Sequence, residues 1–165
     1  MKKILLIATG GTIASKYTQE GLSPQISAEE LLKYIPASRE FCTIDTVQPF
    51  SLDSTNVRAA HWLQLAQLIE KKYEFYDGFV ICHGTDTMAY TASVLSYMLQ
   101  NLTKPVVLTG SQMPIDNLLT DARNNLYTAF SAVDCRIPGV SIAFDHKLIR
   151  GLPGSEGPGL GLFRL

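Results

Sequence analysis

Three turns of this chain place hydroxyl side chains beside glycines, directly after short apolar segments. The turns lie at residues 9–12, 83–87 and 109–112. A glycine lets the backbone approach a small molecule closely, and a threonine hydroxyl becomes a nucleophile once a base or a cation lowers the cost of losing its proton. These residue types indicate a site for a small polar molecule, with Thr12 as a candidate nucleophile.

The first turn has two interpretations. Its paired glycines could form a tight turn and nothing more, or they could bring backbone N–H groups and the Thr12 hydroxyl to a ligand. A phosphate cradle is disfavoured, because the chain contains neither the glycine fingerprint of dinucleotide-binding proteins nor the P-loop motif. A Rossmann-like nucleotide binder is therefore the weakest alternative.

The second turn crowds polar side chains between a predicted strand and a predicted helix. Asp86 could N-cap that helix, or it could pair with a substrate ammonium group while Thr85 relays a proton. His83 could be a general base, although the buried strand before it favours a packed, hydrogen-bonded histidine. His61, on a helix, and His146, in a polar turn, are expected at the surface.

Asp53 and Ser54 place a carboxylate and a hydroxyl just before another predicted helix. Helix N-termini favour anions such as a substrate carboxylate, and the alternative is a plain capping loop. The histidines, cysteines and acidic residues lack the spacing of metal ligands. We therefore expect no metal and no other cofactor.

The elements around these turns predict an α/β fold. The apolar segments at residues 3–8, 79–82 and 106–108 show no polar alternation, which is typical of buried parallel strands. Helices predicted at about residues 57–73 and 88–102 alternate with them, so the fold is three layers, a mostly parallel sheet with helices on both faces. Because ligands bind outside the carboxyl ends of such strands, we expect the three turns to share one rim.

The remaining segments complete this prediction. Residues 15–22 are polar and predict a mobile loop that carries Tyr17, and Ser27 with Glu30 predicts a capping box that opens a helix to about residue 35. Further elements are expected as a strand at 43–47, a helix from Thr120 or Asp121 to about 133, and strands at 140–144 and 148–150.

Composition excludes several classes of protein. The 165 residues carry a net charge of −1 and are 46% hydrophobic, so we expect neither a nucleic-acid surface nor a membrane surface. Three widely spaced cysteines, Cys42, Cys82 and Cys135, predict free thiols. Without a signal segment or a stretch of transmembrane length, a cytoplasmic location is expected.

Four motifs resemble those of the bacterial-type L-asparaginases, and of the cytoplasmic type I group in particular. They stand at residues 9–14, 53–55, 76–90 and 109–114. The resemblance runs from residue 2 to about residue 151 and implies that residues 1–151 are the N-terminal domain of the asparaginase/glutaminase fold. It also implies a homodimer or homotetramer that hydrolyses L-asparagine to L-aspartate and ammonia, with L-glutamine as a possible second substrate.

The resemblance implies a role for each matching residue. Thr12 would attack the side-chain amide with help from Tyr17, and Thr85 would polarise the water or the nucleophile. Ser54 would bind the substrate α-carboxylate and Asp86 its α-ammonium group. The backbone N–H groups of Thr12 and Thr85 would form the oxyanion hole. Two further substrate contacts are expected from Asp53 and Gln112.

The C-terminal stretch departs from the family pattern. The family carries its catalytic lysine in a pattern like Gly-x-Arg-x-x-Lys, whereas Glu156 stands at that place here. A carboxylate would repel the negative charge that develops at the reacting centre. We expect residues 152–165 to be an irregular or disordered tail, and the genetic code permits a lysine at position 156 when the reading frame is shifted by one base. The chain also ends before the family's second domain, so little turnover is expected from it alone.

Two alternatives remain. The chain could be a non-catalytic amino-acid-binding domain that keeps the pocket without the lysine. It could also be the asparaginase-like subunit of a tRNA-dependent amidotransferase, although such subunits carry an N-terminal extension and a strand is predicted here directly after Met1.

Overall fold

A seven-stranded sheet forms the centre of the molecule. The computed structural model describes residues 1–19, 21–40, 42–151 and 162–164. The described residues form nine strands in all, which are β1 (Lys2–Ala8), β2 (Ser15–Thr18), β3 (Gly21–Pro24), β4 (Cys42–Val47), β5 (Gly78–Cys82), β6 (Pro105–Thr109), β7 (Gly139–Phe144), β8 (Lys147–Arg150) and β9 (Leu162–Arg164). The sheet order is β4-β1-β5-β6-β7-β8-β9, and β2 with β3 forms a separate hairpin.

The sheet is mostly parallel, as predicted. Strands β4, β1, β5, β6 and β7 pair in parallel, whereas β8 and β9 add to the β7 edge in antiparallel pairing. The carboxyl ends of β1, β5 and β6 are adjacent, because β5 lies between the other two. The three turns that follow these strands therefore leave the sheet at one rim.

Helices cover both faces of the sheet. They are α1 (Ala28–Leu32), α2 (Ala59–Lys72), α3 (Met88–Met98) and α4 (Ala122–Asp134), with short 3-10 helices at Thr12–Ala14, Pro36–Glu40, Ser54–Asn56 and Tyr73–Phe75. Successive strand residues point to opposite faces. Accordingly, Leu6 belongs to the core under α1 and α4, while its neighbours Leu5 and Ile7 belong to the core under α2 and α3. The three-layer prediction is confirmed.

Local predictions differ from the structure at three places. The predicted loop at residues 15–22 is wrong where the structure describes strands, since Ser15–Thr18 is β2 and Gly21 begins β3, and the Thr18 hydroxyl donates to the Gly21 carbonyl. Helix α1 opens with the predicted capping box of Ser27 and Glu30 but ends at Leu32 instead of residue 35. Helix α3 ends at Met98 instead of residue 102, ahead of a left-handed residue at Asn101 (φ 58°).

The predicted tail lies almost wholly outside the described residues. Residues 152–161, which include Glu156, and residue 165 are not described. At 162–164 the chain forms β9 against β8, which differs from the predicted irregular stretch. None of the described helices has both the length and the apolar character needed to cross a membrane.

Candidate active site

Backbone hydrogen bonds join the turns at the rim. The Thr9 N–H donates to the Cys82 carbonyl over 3.0 Å, and the His83 N–H donates to the Thr109 carbonyl over 2.8 Å. These bonds continue the parallel pairing of β1, β5 and β6 past the ends of the strands. The Gly11 N–H donates to the Leu52 carbonyl over 3.0 Å, which fastens the loop before Ser54 to the first turn.

Glycines let these segments touch. A Cβ on Gly11, whose φ is +77°, would overlap the amide nitrogen of Gly84, and a Cβ on Gly110 would overlap the His83 carbonyl oxygen. A Cβ on Gly84 would lie 2.6 Å from the Ser54 hydroxyl oxygen. The first turn, the second turn, the third turn and the Ser54 loop therefore form one contiguous cluster.

Thr12 stands at the start of a 3-10 helix. Gly11 precedes that helix, and its carbonyl accepts a hydrogen bond from the Ser15 hydroxyl over 2.8 Å. The first residues of a helix have backbone N–H groups without an internal acceptor. The half-buried Thr12 side chain donates to none of the described residues, so its hydroxyl is available to a ligand.

Ser54 and Asp53 differ in their surroundings. Ser54 is 3% exposed and lies against Gly84, and its carbonyl accepts from the Thr87 hydroxyl over 2.8 Å. Asp53 is exposed and accepts from the hydroxyl and the N–H of Thr55, over 2.7 and 2.8 Å. These two bonds lower the pKa of the Asp53 carboxyl, and the bond from the Thr55 hydroxyl has the larger effect. Asp53 is thus an N-cap, but of the short 3-10 helix Ser54–Asn56 and not of the predicted long helix, because α2 begins later and has Arg58 as its N-cap residue.

Asp86 does not cap α3. The N-cap of α3 is Thr87, one residue later, and its side chain donates instead to the Ser54 loop. Asp86 is exposed beside Thr85, whose methyl group lies near Gly110. Within the described part of the chain, the Asp86 carboxylate has no hydrogen-bond or ion-pair partner. The capping interpretation is therefore wrong for Asp86, and its carboxylate is unpaired at the rim.

Tyr17 and Gln112 are less closely tied to the cluster. Tyr17 lies on β2 and is 69% exposed, and its hydroxyl makes no hydrogen bond with the residues described, Thr12 included. The exposed Gln112 donates its backbone N–H to the Asp121 carboxylate over 3.0 Å. The structure therefore places Gln112 in the third turn, and it does not bring the Tyr17 hydroxyl to Thr12.

Sequence reasoning missed Asn125 and the second role of Asp121. Buried Asn125, on α4, donates to the Gly110 carbonyl over 2.9 Å and accepts from the Asp145 N–H over 3.0 Å. Asp121 is the N-cap residue of α4, yet its carboxylate accepts from the N–H groups of Gln112 and Met113, while the Thr120 hydroxyl accepts from the Ala122 N–H. A polar residue at a core-facing position of α4 is the signal that identifies Asn125 in the sequence.

His83 is buried beneath the rim. It is 0% exposed, its Nδ1 lies 2.7 Å from the Gly84 carbonyl oxygen, and its Nε2 lies 2.9 Å from the Thr91 hydroxyl. Burial lowers the pKa of His83, against the opposing effect of the hydrogen bond to Gly84. The packed, hydrogen-bonded interpretation is confirmed, since both ring nitrogens are occupied by protein groups.

The other histidines and the cysteines largely follow their predictions. His146 is exposed in the β7–β8 turn, whereas His61 is half-buried, with Nδ1 accepting from the Arg58 N–H over 3.0 Å. All three cysteines are free. Among the described residues, no cluster of three or more histidine, cysteine or acidic side chains could hold a metal ion. The rim thus offers a hydroxyl, backbone N–H donors and an unpaired carboxylate.

The chain is similar in sequence to known proteins. Residues 3–154 match the family model described as "Asparaginase, N-terminal". The chain is 41% identical over 161 residues to the L-asparaginase of Thermococcus kodakarensis, covering 97% of this chain and 49% of that protein. It is 40% identical over 158 residues to L-asparaginase 1 of Escherichia coli K12, covering 91% and 46%. A subunit of the glutamyl-tRNA(Gln) amidotransferase of Saccharolobus islandicus is 41% identical over 130 residues, covering 77% and 29%.

Solved structures of L-asparaginases superpose on this chain. The thermostable L-asparaginase from Thermococcus kodakarensis superposes with a TM-score of 0.84 at 38% identity, covering 99% of this chain and 51% of that one. A "probable cytoplasmic L-asparaginase" from Campylobacter jejuni superposes with a TM-score of 0.81 at 35% identity, covering 92% and 46%. The chain spans about half the length, or less, of the curated relatives that it matches.

Proposed function

The chain belongs to the asparaginase family, in the part that forms the family's N-terminal domain, and from this premise we propose that it serves the hydrolysis of L-asparagine to L-aspartate and ammonia. The observation that carries the proposal is the contiguous cluster at the rim, where Gly11, Ser54 and Gly84 touch. An amino-acid substrate needs an anion site, a cation site and a nucleophile, and residues beside these contacts supply each.

In the proposed reaction, the Thr12 hydroxyl attacks the side-chain amide carbon and forms an acyl-enzyme, ammonia leaves, and water releases L-aspartate. The N–H groups of Thr12 and Thr85 stabilise the negative oxygen of the tetrahedral intermediate. The Thr85 hydroxyl polarises the attacking group, and Tyr17 assists Thr12 after a movement of the hairpin that bears it.

Substrate recognition is proposed to use the same cluster. The Ser54 hydroxyl binds the α-carboxylate, and the unpaired carboxylate of Asp86 binds the α-ammonium group. Asp53 supports this contact by capping the helix that begins at Ser54, and Gln112 contributes from the third turn. L-glutamine, longer by one methylene group, is the proposed second substrate.

Residues 1–151 are proposed as the domain, with residues 152–165 as a tail translated out of frame. The absence of a lysine near residue 156 supports this. Sequencing the encoding DNA around codon 151 tests it, and a neighbouring frame without a lysine codon at that place would contradict it.

Ammonia release from L-asparagine by the purified chain tests the function directly. We expect slow turnover, because the loss of one member of a catalytic group typically costs several orders of magnitude. Thr12→Ala is expected to abolish it. Thr43→Ala, a change at an exposed threonine on edge strand β4, is the matched control. Equal turnover by the wild type and Thr12→Ala would refute the nucleophile.

A non-catalytic amino-acid-binding role is the second candidate, favoured by Glu156 at the place of the lysine. Calorimetry with L-aspartate and L-asparagine separates the two functions, since binding without ammonia release supports the second. The amidotransferase interpretation is supported by the Saccharolobus islandicus relative, but the chain covers only 29% of that protein.

A homo-oligomeric assembly and a cytoplasmic location complete the proposal. The resemblance to type I asparaginases supports both, and the Campylobacter jejuni neighbour carries the word cytoplasmic in its name. Light scattering of the purified chain measures the mass of the assembly, and a mass of one chain at every concentration would contradict the oligomer.

A further inference from the structure

A row of hydrogen bonds, partly buried at Trp62 and fully buried at His83, connects helix α2 to the second turn of the rim. The indole Nε1 of Trp62, on α2, donates to the Thr91 hydroxyl oxygen on α3 over 2.9 Å. That oxygen lies 2.9 Å from Nε2 of His83, whose Nδ1 lies 2.7 Å from the Gly84 carbonyl oxygen. Thr91 and His83 are fully buried. The row therefore ends at the backbone beside Thr85.

The chemistry of the groups fixes the direction of the first and last bonds in this row, and a neutral imidazole at His83 fixes the middle one. An indole nitrogen only donates, and a carbonyl oxygen only accepts. Nδ1 of His83 must carry the hydrogen that binds Gly84. The Thr91 oxygen receives the Trp62 hydrogen and donates its own to Nε2. A neutral imidazole satisfies both bonds, and burial favours that form because desolvation lowers the pKa of His83.

Fixing the Gly84 carbonyl also fixes the Thr85 N–H. The peptide bond is planar and trans, so the carbonyl oxygen of Gly84 and the N–H of Thr85 point in opposite directions. Gly84 has no side chain to restrict its own rotation. Among the described residues, the Thr85 N–H finds no acceptor. It remains available to a ligand at the rim.

We propose that Trp62, Thr91 and His83 form a directional relay that sets the plane of the Gly84–Thr85 peptide and so aims the Thr85 N–H at the reacting carbonyl. This inference rests on the amide hydrolysis proposed above. His83 and Thr91 act through the peptide, so they are positioning residues. The relay explains why polar side chains are buried behind the rim, where a purely structural core would use apolar ones.

Nuclear magnetic resonance of the whole chain with ¹⁵N-labelled histidine tests the relay without requiring turnover. We expect His83 to be neutral with its hydrogen on Nδ1. Thr91→Val removes the hydroxyl and is expected to shift both the Nε2 and the Thr85 amide signals. Thr128→Val is the matched control, because Thr128 is also buried on a helix but donates only to the Asn124 carbonyl of its own helix.

Two results would overturn the relay. One is a hydrogen on Nε2 of His83, and the other is a Thr85 amide signal that Thr91→Val leaves unchanged. Should Thr91→Val fail to fold, Trp62→Phe removes the N–H donor and leaves a smaller aromatic ring at a half-buried position, and it is judged by the same two signals.

Turnover tests the consequence for catalysis. We expect Thr91→Val to lower kcat for L-asparagine by about ten- to a hundredfold, with KM nearly unchanged, because small misplacements of a catalytic group cost this much. Thr91→Ser, which keeps the hydroxyl, is expected to restore kcat, and Thr128→Val to leave it unchanged. A wild-type kcat in Thr91→Val would refute the positioning role. If the wild-type chain releases no ammonia, the proposed function fails while the Thr85 amide signal still decides the relay.

Discussion

Gly11 and Gly84 approach each other so closely that a β-carbon on Gly11 would overlap the amide nitrogen of Gly84. The two residues are far apart in the chain and lie in the turns after β1 and β5, which are neighbours in the sheet. Because Gly11 also has a φ of +77°, the position excludes a side chain both by space and by backbone conformation. This contact brings the proposed nucleophile Thr12 beside the turn that carries Thr85 and Asp86.

Gly11→Ala is expected to lower the free energy of unfolding by about 2–4 kcal/mol, through strain and overlap with the Gly84 backbone. Gly21→Ala is the matched control, because Gly21 also has a positive φ (+111°) but open space around it. Its cost is expected to be about 1 kcal/mol from strain alone. Urea unfolding measures both variants, and equal losses would show that the contact with Gly84 contributes nothing.

Asn125→Ala is expected to lower the free energy of unfolding by about 2–3 kcal/mol, because it leaves the Gly110 carbonyl and the Asp145 N–H without a partner. Asn124→Ala changes an exposed residue of the same helix and should alter stability by less than about 0.5 kcal/mol. Thermal unfolding measures the stability of both variants. If Asn125→Ala loses as little stability as Asn124→Ala, water replaces the two hydrogen bonds of the Asn125 side chain.

The sequence was sufficient to predict the sheet and the shared rim, because buried parallel strands need uninterrupted apolar segments and because such strands end at one edge. The sequence was insufficient where contacts with distant residues decide the local structure or the role of a side chain. The β2–β3 hairpin has no alternating pattern, and its strands are joined by pairing across the chain and by the bond from the Thr18 hydroxyl to the Gly21 carbonyl. Likewise, Asp86 stands at a favourable place for a cap, yet α3 begins at Met88 with Thr87 as its N-cap residue, and the Thr87 hydroxyl donates to the Ser54 carbonyl.

Asp86→Asn is expected to weaken the binding of L-aspartate by at least about tenfold, because a hydrogen bond between charged groups contributes about 1.5–3 kcal/mol and the variant removes the charge. Asp116→Asn is the control for the change in net charge, since Asp116 is also exposed but lies in the loop before α4, outside the proposed set of ligands. Calorimetric titration measures both affinities. Equal affinity of Asp86→Asn and the wild type would remove Asp86 from the proposed ammonium site.

The three thiols are expected to react at very different rates in the native chain. Burial raises the pKa of Cys82 to about 12, and burial together with the charge of Asp134 raises the pKa of Cys42 to about 11. Because the thiolate is the reactive form, both thiols should be nearly inert at mildly alkaline pH, whereas the exposed Cys135 should react within seconds to minutes.

A chromogenic disulfide reagent, which absorbs light when a thiol displaces its leaving group, measures this difference. We expect one thiol per native chain to react fast, and all three thiols to react when the chain is unfolded in urea. In Cys135→Ser the fast phase should vanish while two equivalents remain in urea. Since Cys82 ends β5 directly before His83, a fast second equivalent that persists in Cys42→Ser would mean that the strand carrying the rim opens readily. That result would contradict the rigid backbone on which the proposed aim of the Thr85 N–H depends.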